Sequence, residues 1–216
     1  MSKTEITFKV ITLGDSGVGK TSIIRRYANN IFDESILSTV GVGFAFKEIE
    51  LQNKKKIKLK LIDTAGQEKF KSLAKSYFKN VDGVLFVYSF EIPESFENLK
   101  EWIQLFNSNH NGKSGIPMFL IGNKSDLEEK NEIEKNYKLV IEFLNEFKDL
   151  KYYKTSAKDN ISINEAFLEL AEKIYANFGK ERKKGHNVLK LKNIDKHYHW
   201  NNCGICHINM DQKAKD

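Results

Sequence analysis

Residues 14–22 read GDSGVGKTS and follow a short apolar run, residues 6–13, that is typical of a β-strand. The stretch fits the pattern G-x-x-x-x-G-K-[ST], whose residues here are Gly14, Gly19, Lys20 and Thr21. Its glycines let successive backbone amides face phosphate oxygens, and the helix predicted over residues 20–29 adds the positive end of its dipole. The sequence therefore predicts a phosphate-binding loop between a first strand and a first helix; a glycine turn without a ligand is the alternative.

Short apolar runs alternate with amphipathic segments from this first strand to about Phe178. Residues 44–51 and 57–62 flank a turn and predict a hairpin. Further strands are predicted at residues 81–88, 118–121 and 152–153. Because helices separate most of these strands, we expect right-handed crossovers. The expected fold class is therefore α/β, with a mostly parallel six-stranded sheet, one antiparallel strand and helices on both faces.

Three amphipathic helices are predicted between and after the later strands. Their apolar faces are Phe96, Leu99, Trp102, Ile103 and Phe106; Ile133, Tyr137, Val140, Ile141 and Leu144; and Ile163, Ala166, Phe167, Leu170, Ile174 and Phe178. The periodicity stops at the end of the third face. We therefore expect one domain over residues 1–178 and a basic, disordered extension over residues 179–216.

The composition predicts a single soluble, intracellular domain. With 216 residues, 40% of them hydrophobic, the chain can bury one sizeable core. No apolar run approaches the roughly 18 residues of a membrane-spanning helix, and the first residues carry no secretory signal pattern. The cysteines are Cys203 and Cys206 alone, so we expect no disulfide framework.

The net charge of +6 is concentrated near the end of the chain. From Gly179 onward there are nine Lys or Arg against four Asp or Glu, a surplus of five. Such a segment suits an anionic membrane surface or another acidic partner, and it equally suits a solubilising, disordered end. Sparse aromatic residues disfavour nucleic-acid binding.

Residues 61–70, LIDTAGQEKF, leave a predicted strand and enter a predicted helix. Asp63 falls at the carboxyl end of that strand, beside the phosphate loop if the two strands are neighbours. A carboxylate there can hold Mg²⁺, directly or through water, together with the Thr21 hydroxyl. The Gly66 amide can approach a γ-phosphate, and Gln67 can orient an attacking water. An ordinary turn would have the same composition.

Two later loops predict a guanine site. Residues 122–126, GNKSD, follow a predicted strand, and the Asp126 carboxylate can accept from both N1–H and the 2-amino group of guanine, a pairing that adenine cannot offer. The methylene stem of Lys124 can cover the ring. In residues 155–160, TSAKDN, the Ala157 amide can face the 6-oxo group, with Ser156 supporting the loop.

These four loops, in this order over residues 5–178, resemble the Ras-like small GTPases, and the Rab family most of all. The Rab-like stretches are STVGVGF (38–44), DTAGQEKFKSLAKSYF (63–78), GVLFVYS (83–89) and ESFENLKEW (94–102). The resemblance implies that Thr39 is the threonine of the first mobile loop (switch I) and meets Mg²⁺ and the γ-phosphate. It also implies that the fold is a P-loop NTPase G domain and that Phe32 packs against the guanine.

Motifs and resemblance together define the expected site. The residues expected to bind GTP or GDP are Asp15, Ser16, Gly17, Val18, Gly19, Lys20, Thr21, Ser22, Phe32, Thr39, Gly66, Asn123, Lys124, Asp126, Ser156, Ala157 and Lys158. The residues expected to hold Mg²⁺ are Thr21, Thr39 and, through water, Asp63. The residues expected to act in hydrolysis are Gln67, Lys20 and Thr39.

The resemblance implies a nucleotide-dependent switch that regulates vesicle or membrane traffic. Since switch I contains no arginine that could act in cis, GTP hydrolysis should be slow until a partner supplies one. The implied partners are an exchange factor, a GTPase-activating protein and effectors that bind switch I and the loop carrying Gly66 and Gln67 (switch II). We expect a cytoplasmic monomer, without nucleic acid, on the cytosolic face of membranes.

The last residues depart furthest from the Rab pattern. Rab proteins usually end in cysteines that carry lipid chains, whereas here Cys203 and Cys206 are followed by ten more residues. Trimming and prenylation, acylation, or attachment by charge all remain open. Cys203, Cys206 and His207 also match a haem-attachment pattern, and the two cysteines with His197 and His199 offer four zinc ligands. Two free thiols are the simplest state.

Two functions of other kinds fit part of the sequence. One is an interaction module that binds nucleotide and never hydrolyses it, which the presence of Thr39, Asp63 and Gln67 disfavours. The other is a P-loop kinase for a small molecule, which would need an acceptor site and a lid that the sequence does not reveal. The choice of base separates the kinase from the switch, because the Asn-Lys-Ser-Asp loop favours GTP over ATP.

Overall fold

The computed structural model describes residues 6–35, 39, 41–66, 71–110, 113–129 and 132–195. The strands are β1 (Ile6–Leu13), β2 (Val42–Glu50), β3 (Lys56–Thr64), β4 (Gly83–Ser89), β5 (Met118–Asn123) and β6 (Leu150–Lys154). The helices are α1 (Lys20–Asn29), α2 (Lys71–Ser76), α3 (Glu94–Glu97), α4 (Leu99–Asn109), α5 (Ile133–Glu146) and α6 (Ile163–Asp195).

The strands form one sheet in the order β2-β3-β1-β4-β5-β6. β1 pairs in parallel with β3 and β4, and β5 pairs in parallel with β4 and β6. Among the described strands, β2 alone is antiparallel, and it pairs with β3 as a hairpin. These pairings confirm the predicted α/β fold with a mostly parallel six-stranded sheet.

Alternate side chains of the strands pack into two separate hydrophobic cores, one on each face of the sheet. On one face, β1 contributes Phe8 and Val10, which pack with buried residues of α1 and α6. On the other face, β1 contributes Ile11 and Leu13, which pack with buried residues of α2, α4 and α5. Because the period of a strand is two residues, this near-continuous apolar run is buried on both sides.

The helix predicted along Phe96 to Phe106 is two helices rather than one. α3 ends at Glu97 and α4 begins at Leu99, with Asn98 at the junction. The predicted apolar residues still face the core, because Leu99 and Trp102 are both fully buried.

The predicted buried face of α5 is partly wrong. Ile133, Tyr137 and Ile141 are exposed, at 44%, 64% and 41%, whereas Val140 and Phe143 are buried. The helix carries two apolar stripes about a quarter-turn apart, and periodicity alone does not decide which stripe meets the sheet. The buried ring of Phe143 packs against the ring of Phe96 on α3.

The last helix is longer than the sequence predicted. We expected it to end near Phe178 and a disordered extension to follow, but α6 continues to Asp195. The chain divides into two units between Lys180 and Glu181. The first unit contains the sheet and both cores; of the second, the structure describes only the residues to Asp195, which are helical. No helix in the described ranges has both the length and the apolar character needed to cross a lipid bilayer.

Candidate functional site

The loops that follow β1, β3, β5 and β6 meet at one edge of the sheet, because these strands all run in the same direction. They border a cavity of about 370 Å³, a volume suited to a small-molecule ligand. The residues lining it are Ser16, Gly17, Gly19, Lys20, Thr21, Ser22, Phe32, Asp33, Glu34, Thr39, Thr64, Gly66, Glu91, Asn123, Lys124, Asp126, Leu127, Ala157 and Lys158.

The phosphate loop is fixed from one side by Asn123. Its Nδ2 donates to the Val18 carbonyl at 2.9 Å, and both residues are buried. Gly19 has a φ of 92°, and a Cβ there would lie 2.3 Å from the same Asn123 nitrogen. Glycine is therefore required at this position both by the backbone and by the available space. Because α1 begins at Lys20, the N-terminal end of that helix borders the cavity.

The side chain of Lys20, the first residue of α1, is buried. It is only 5% exposed, and its Nζ donates to the carbonyl oxygens of Gly14 and Asp15 at 2.8 and 2.6 Å. Burial lowers its pKa to about 8, although the charges of Asp63 and Asp15 partly offset that effect. An anionic ligand in the cavity would supply the missing countercharge and favour the protonated form.

Two hydroxyl groups and one carboxylate come together from α1, from the segment between α1 and β2, and from the end of β3. Thr21 Oγ1 lies 2.6 Å from Thr39 Oγ1 and donates to Asp63 Oδ2 at 2.7 Å. The other carboxylate oxygen, Asp63 Oδ1, is buried and has no hydrogen-bond partner within the described part of the chain. Burial raises the pKa of Asp63, opposed by the Thr21 hydrogen bond and by Lys20 and Arg25.

These three residues fit a magnesium ion. A buried carboxylate oxygen without a partner normally costs free energy, and a cation would remove that cost. Mg²⁺ prefers oxygen ligands and usually takes only one or two carboxylates, with water and substrate phosphates completing the shell. Within the described ranges, no group of three or more His, Cys, Asp or Glu side chains forms a metal site of another kind.

The far end of the cavity is built from the loops after β5 and β6. Asp126 Oδ1 accepts from the Ser156 hydroxyl at 2.6 Å, which fixes the carboxylate. The Ala157 amide, which we expected to face a purine oxygen, donates instead to Asn123 Oδ1 at 3.2 Å. Asn123 therefore joins both ends of the site, since its amide nitrogen holds the phosphate loop and its oxygen holds the loop after β6.

Arg26 on α1 supports the same loop and was not predicted. Its Nε donates to the Ala157 carbonyl at 2.8 Å and its Nη2 donates to the Lys158 carbonyl at 2.9 Å. The guanidinium carbon also lies 5.8 Å from the centre of the Phe32 ring. No motif surrounds Arg26, and its partners are more than 130 residues away, so the sequence carries no local signal for this contact.

Two ion pairs join residues that line the cavity, and neither was predicted. Lys158 contacts Glu34 at 2.8 Å, joining the loop after β6 to the segment before Thr39. Lys124 pairs with Glu91, which lies just after β4. Both acidic partners are largely exposed, so these pairs add little to stability.

Most of the expected site residues line this cavity, and four of those within the described residues do not: Asp15, Val18, Asp63 and Ser156. Val18 and Ser156 are buried and act through the hydrogen bonds described above. The Asp15 side chain is bonded to Asn98 and Trp102 instead of lining the cavity. Gln67 lies outside the described residues, as do the tail residues considered for haem, zinc or lipid. The lining residues that sequence reasoning missed are Asp33, Glu34, Thr64, Glu91 and Leu127.

Comparison with known proteins gives one family over most of the chain. Residues 9–176 match the model of the Ras family. The chain is similar to the Ras-related protein Rab-13 of Bos taurus, with 37% identity over 194 residues, covering 88% of this chain and 92% of the relative. It is also similar to Rab-8 of Diplobatis ommata, with 37% identity and 84% coverage of each chain. Rab-8B of Homo sapiens is 37% identical, with 81% of this chain and 82% of the relative covered.

Proposed function

The chain belongs to the Ras family of small GTPases and is most similar to Rab proteins, and from this premise we propose that its cavity holds GTP or GDP with Mg²⁺ and works as a conformational switch. The observation that carries the proposal is the convergence on one cavity of three chemically distinct groups. These are the phosphate loop with Lys20, the Thr21 and Thr39 hydroxyls with Asp63 bonded to Thr21, and Asp126 held by Ser156.

The phosphates would lie along the loop from Gly14 to Ser22, where α1 begins. Lys20 would donate to the β- and γ-phosphates; since two of its three N–H donors are bonded to the Gly14 and Asp15 carbonyls, at least one of these bonds would be exchanged for a phosphate contact. The poor solvation of Lys20 makes this contact strong, because little hydration is lost when the phosphate arrives.

Thr21, Thr39 and Asp63 would hold the magnesium ion, with Asp63 acting through a water. When bound, Mg²⁺ neutralises negative charge on the phosphate oxygens. The Thr21 hydroxyl donates to Asp63 and lies 2.6 Å from the Thr39 hydroxyl, which keeps the three groups within reach of one another.

Asp126 would read the base. The Ser156 hydroxyl holds the carboxylate, which can accept from two neighbouring donors on guanine. Adenine has no such pair of donors at that edge, so it would leave the carboxylate facing no donor. This preference for guanine argues against a kinase that uses ATP.

The switch would depend on two loops that sense the γ-phosphate. Thr39 reaches it from switch I and the Gly66 amide reaches it from switch II, so loss of that phosphate would release both segments. Gln67 would orient the attacking water, and Lys20 would stabilise charge on the transferred group. Hydrolysis would be slow alone, because switch I contains no arginine, and a partner would accelerate it.

A substitution at Asp63 tests whether these groups form one site, because it should weaken nucleotide retention and at the same time stabilise the nucleotide-free protein. In Asp63→Asn we expect nucleotide release to become fast and insensitive to chelation of Mg²⁺, whereas chelation should speed wild-type release about tenfold or more. The nucleotide-free variant should be more stable, by roughly 2–4 °C in unfolding midpoint, because a buried carboxylate oxygen without a partner is neutralised. Release is measured with a fluorescent GDP, with and without chelator.

The stability gain should also depend on pH in a defined direction. Because the pKa of Asp63 is raised in the folded, metal-free protein, its ionised form is destabilising at neutral pH and this cost vanishes as the pH falls. Wild type and variant should therefore converge in stability at acidic pH. Asp149→Asn, at an exposed position, is the charge-matched control. Release that stays chelator-sensitive in Asp63→Asn would contradict the assigned metal site.

We place the switch in membrane traffic because the relatives over most of the chain are Rab proteins. Exchange factors, activating proteins and effectors would bind switch I and switch II, and the basic tail with Cys203 and Cys206 would contact the cytosolic face of a membrane. Intact-mass spectrometry of protein from its native cells tests the tail. Added prenyl or acyl mass at these cysteines is the expected result; unmodified thiols would contradict lipid attachment.

A further inference from the structure

The carboxylate of Asp15 turns away from the cavity although the residue belongs to the phosphate loop. Asp15 Oδ2 accepts from Asn98 Nδ2 at 2.7 Å, and Oδ1 accepts from Trp102 Nε1 at 2.8 Å. Asn98 forms the junction of α3 and α4, and Trp102 is fully buried within α4. Both carboxylate oxygens are therefore hydrogen-bonded to α4 or to the residue just before it. α4 contributes no residue to the cavity lining within the described part of the chain.

The backbone of the same residue contacts two groups of the proposed phosphate site. The Asp15 carbonyl accepts from Lys20 Nζ at 2.6 Å. A Cβ added at Gly66 would lie 2.2 Å from the carbonyl carbon and oxygen of Asp15, and 2.4 Å from the Ser16 nitrogen. The peptide between residues 15 and 16 thus lies between the lysine and the glycine of switch II, with no room for a side chain on the glycine.

We propose that Asp15 is a positioning residue, and that Asn98 and Trp102, by holding its carboxylate, fix the peptide that orients Lys20 and receives Gly66. On this proposal, which rests on the proposed nucleotide switch, α4 helps to retain bound nucleotide without touching it. Two hydrogen bonds to one ionised acceptor, from donors on a packed helix, define the orientation of the residue-15 peptide more narrowly than the glycine-rich loop could alone.

A reciprocal exchange of the two polar partners tests the proposal. Asn98→Asp places two carboxylates against each other, so Asp15 loses one donor and is repelled. We expect GDP release to accelerate roughly tenfold, the size of losing one hydrogen bond to a charged group. Adding Asp15→Asn should restore release close to the wild-type rate, because the amide then donates to the new carboxylate at position 98 and its oxygen still accepts from Trp102.

The exchange separates positioning from a general loss of stability. Position 98 is exposed and precedes the first turn of α4, where an acidic group interacts favourably with the helix dipole and offsets part of the repulsion, so the unfolding midpoint of Asn98→Asp should fall by only about 2–4 °C. Asn107→Asp changes the charge equally at an exposed position of the same helix and should leave release unchanged. Release is measured on full-length protein loaded with fluorescent GDP, alongside thermal unfolding.

Each outcome bears on the proposal. Faster release in Asn98→Asp with recovery in the double variant supports positioning by Asp15. Unchanged release in Asn98→Asp, or no recovery after Asp15→Asn is added, overturns it while leaving the nucleotide switch intact. Wild-type protein that fails to retain GDP overturns the proposed function and this inference with it.

Discussion

Lys20→Met is expected to weaken binding of GDP and GTP about a thousandfold, the loss that follows when one partner of a desolvated ion pair is removed. Methionine keeps the unbranched apolar stem and most of the length of the side chain, so the change removes the charge and the donor while filling nearly the same space. The wild-type ammonium is 5% exposed and bonded to the carbonyls of Gly14 and Asp15, which fixes it where phosphates would lie.

The pH dependence of binding provides a second readout of the same prediction. The pKa of Lys20 is about 8 in the free protein and its ordinary value is 10.5, so above pH 8 the free protein loses the proton that a bound phosphate would retain. Wild-type affinity should therefore fall as the pH rises above 8, with uptake of a proton on binding. Lys20→Met should lack this slope.

Folding stability should change with pH in the opposite direction to nucleotide affinity. Because the folded-state pKa of Lys20 is depressed, the buried ammonium destabilises the nucleotide-free protein below pH 8, and this cost is relieved as the pH rises toward 10.5. Lys138→Met, at an exposed position of α5, is the matched control and should change neither affinity nor its pH slope. Tight binding by Lys20→Met, measured by competition with a fluorescent nucleotide, would contradict the assigned role.

Gln67→Leu is expected to slow hydrolysis of bound GTP roughly a hundredfold, the cost of misplacing one reacting group by a small distance. Leucine has a similar volume but can neither donate to nor accept from a water molecule. Nucleotide affinity should stay near the wild-type value, because the expected task of Gln67 concerns the attacking water. Single-turnover release of phosphate, started by adding Mg²⁺ to GTP-loaded protein, measures the rate.

The same experiment distinguishes a switch from a module that binds nucleotide without hydrolysing it. A switch gives slow but complete phosphate release in wild type and much slower release in Gln67→Leu. Gln104→Leu, an exposed glutamine on α4, should behave as wild type and controls for the loss of an amide. Equal rates in wild type and Gln67→Leu would remove the glutamine from the mechanism.

The parts of the fold that depend on local chemistry were predictable from the sequence. The first helix has the predicted bounds, Lys20 to Asn29, because a glycine in the left-handed region ends the loop before it. The hairpin between β2 and β3 follows from two strand-like runs around a short polar turn. In both cases the deciding residues lie within a few positions of one another.

The features that the sequence did not reveal depend on partners far along the chain. Arg26 holds a loop 131 residues away, and Asp15 is bonded to a tryptophan 87 residues away. In α5, the exposed stripe and the buried stripe have similar sequences. Tyr137, which is exposed, and Phe143, which is buried, both count as apolar when helix faces are predicted from periodicity. Only the packing of the neighbouring helices decides between them.

The length of α6 was mispredicted for a different reason. Apolar periodicity marks the part of a helix that packs on a core, and it stops near Phe178. Residues 179–195 include five Lys, one Arg and two Leu, which favour helix without needing a core contact. The helix to Asp195 is therefore compatible with the sequence, although the apolar pattern did not predict it.

Calorimetric titration of nucleotide-stripped, folded protein tests the central claim most directly. In the presence of Mg²⁺, we expect one saturable site for GDP and for GTP, and no measurable heat with ADP or ATP at the same concentrations. Removal of Mg²⁺ should weaken the guanine isotherms, because Asp63 then faces no cation. Absence of heat with both guanine nucleotides, or equal binding of adenine nucleotides, would contradict the assignment of this cavity.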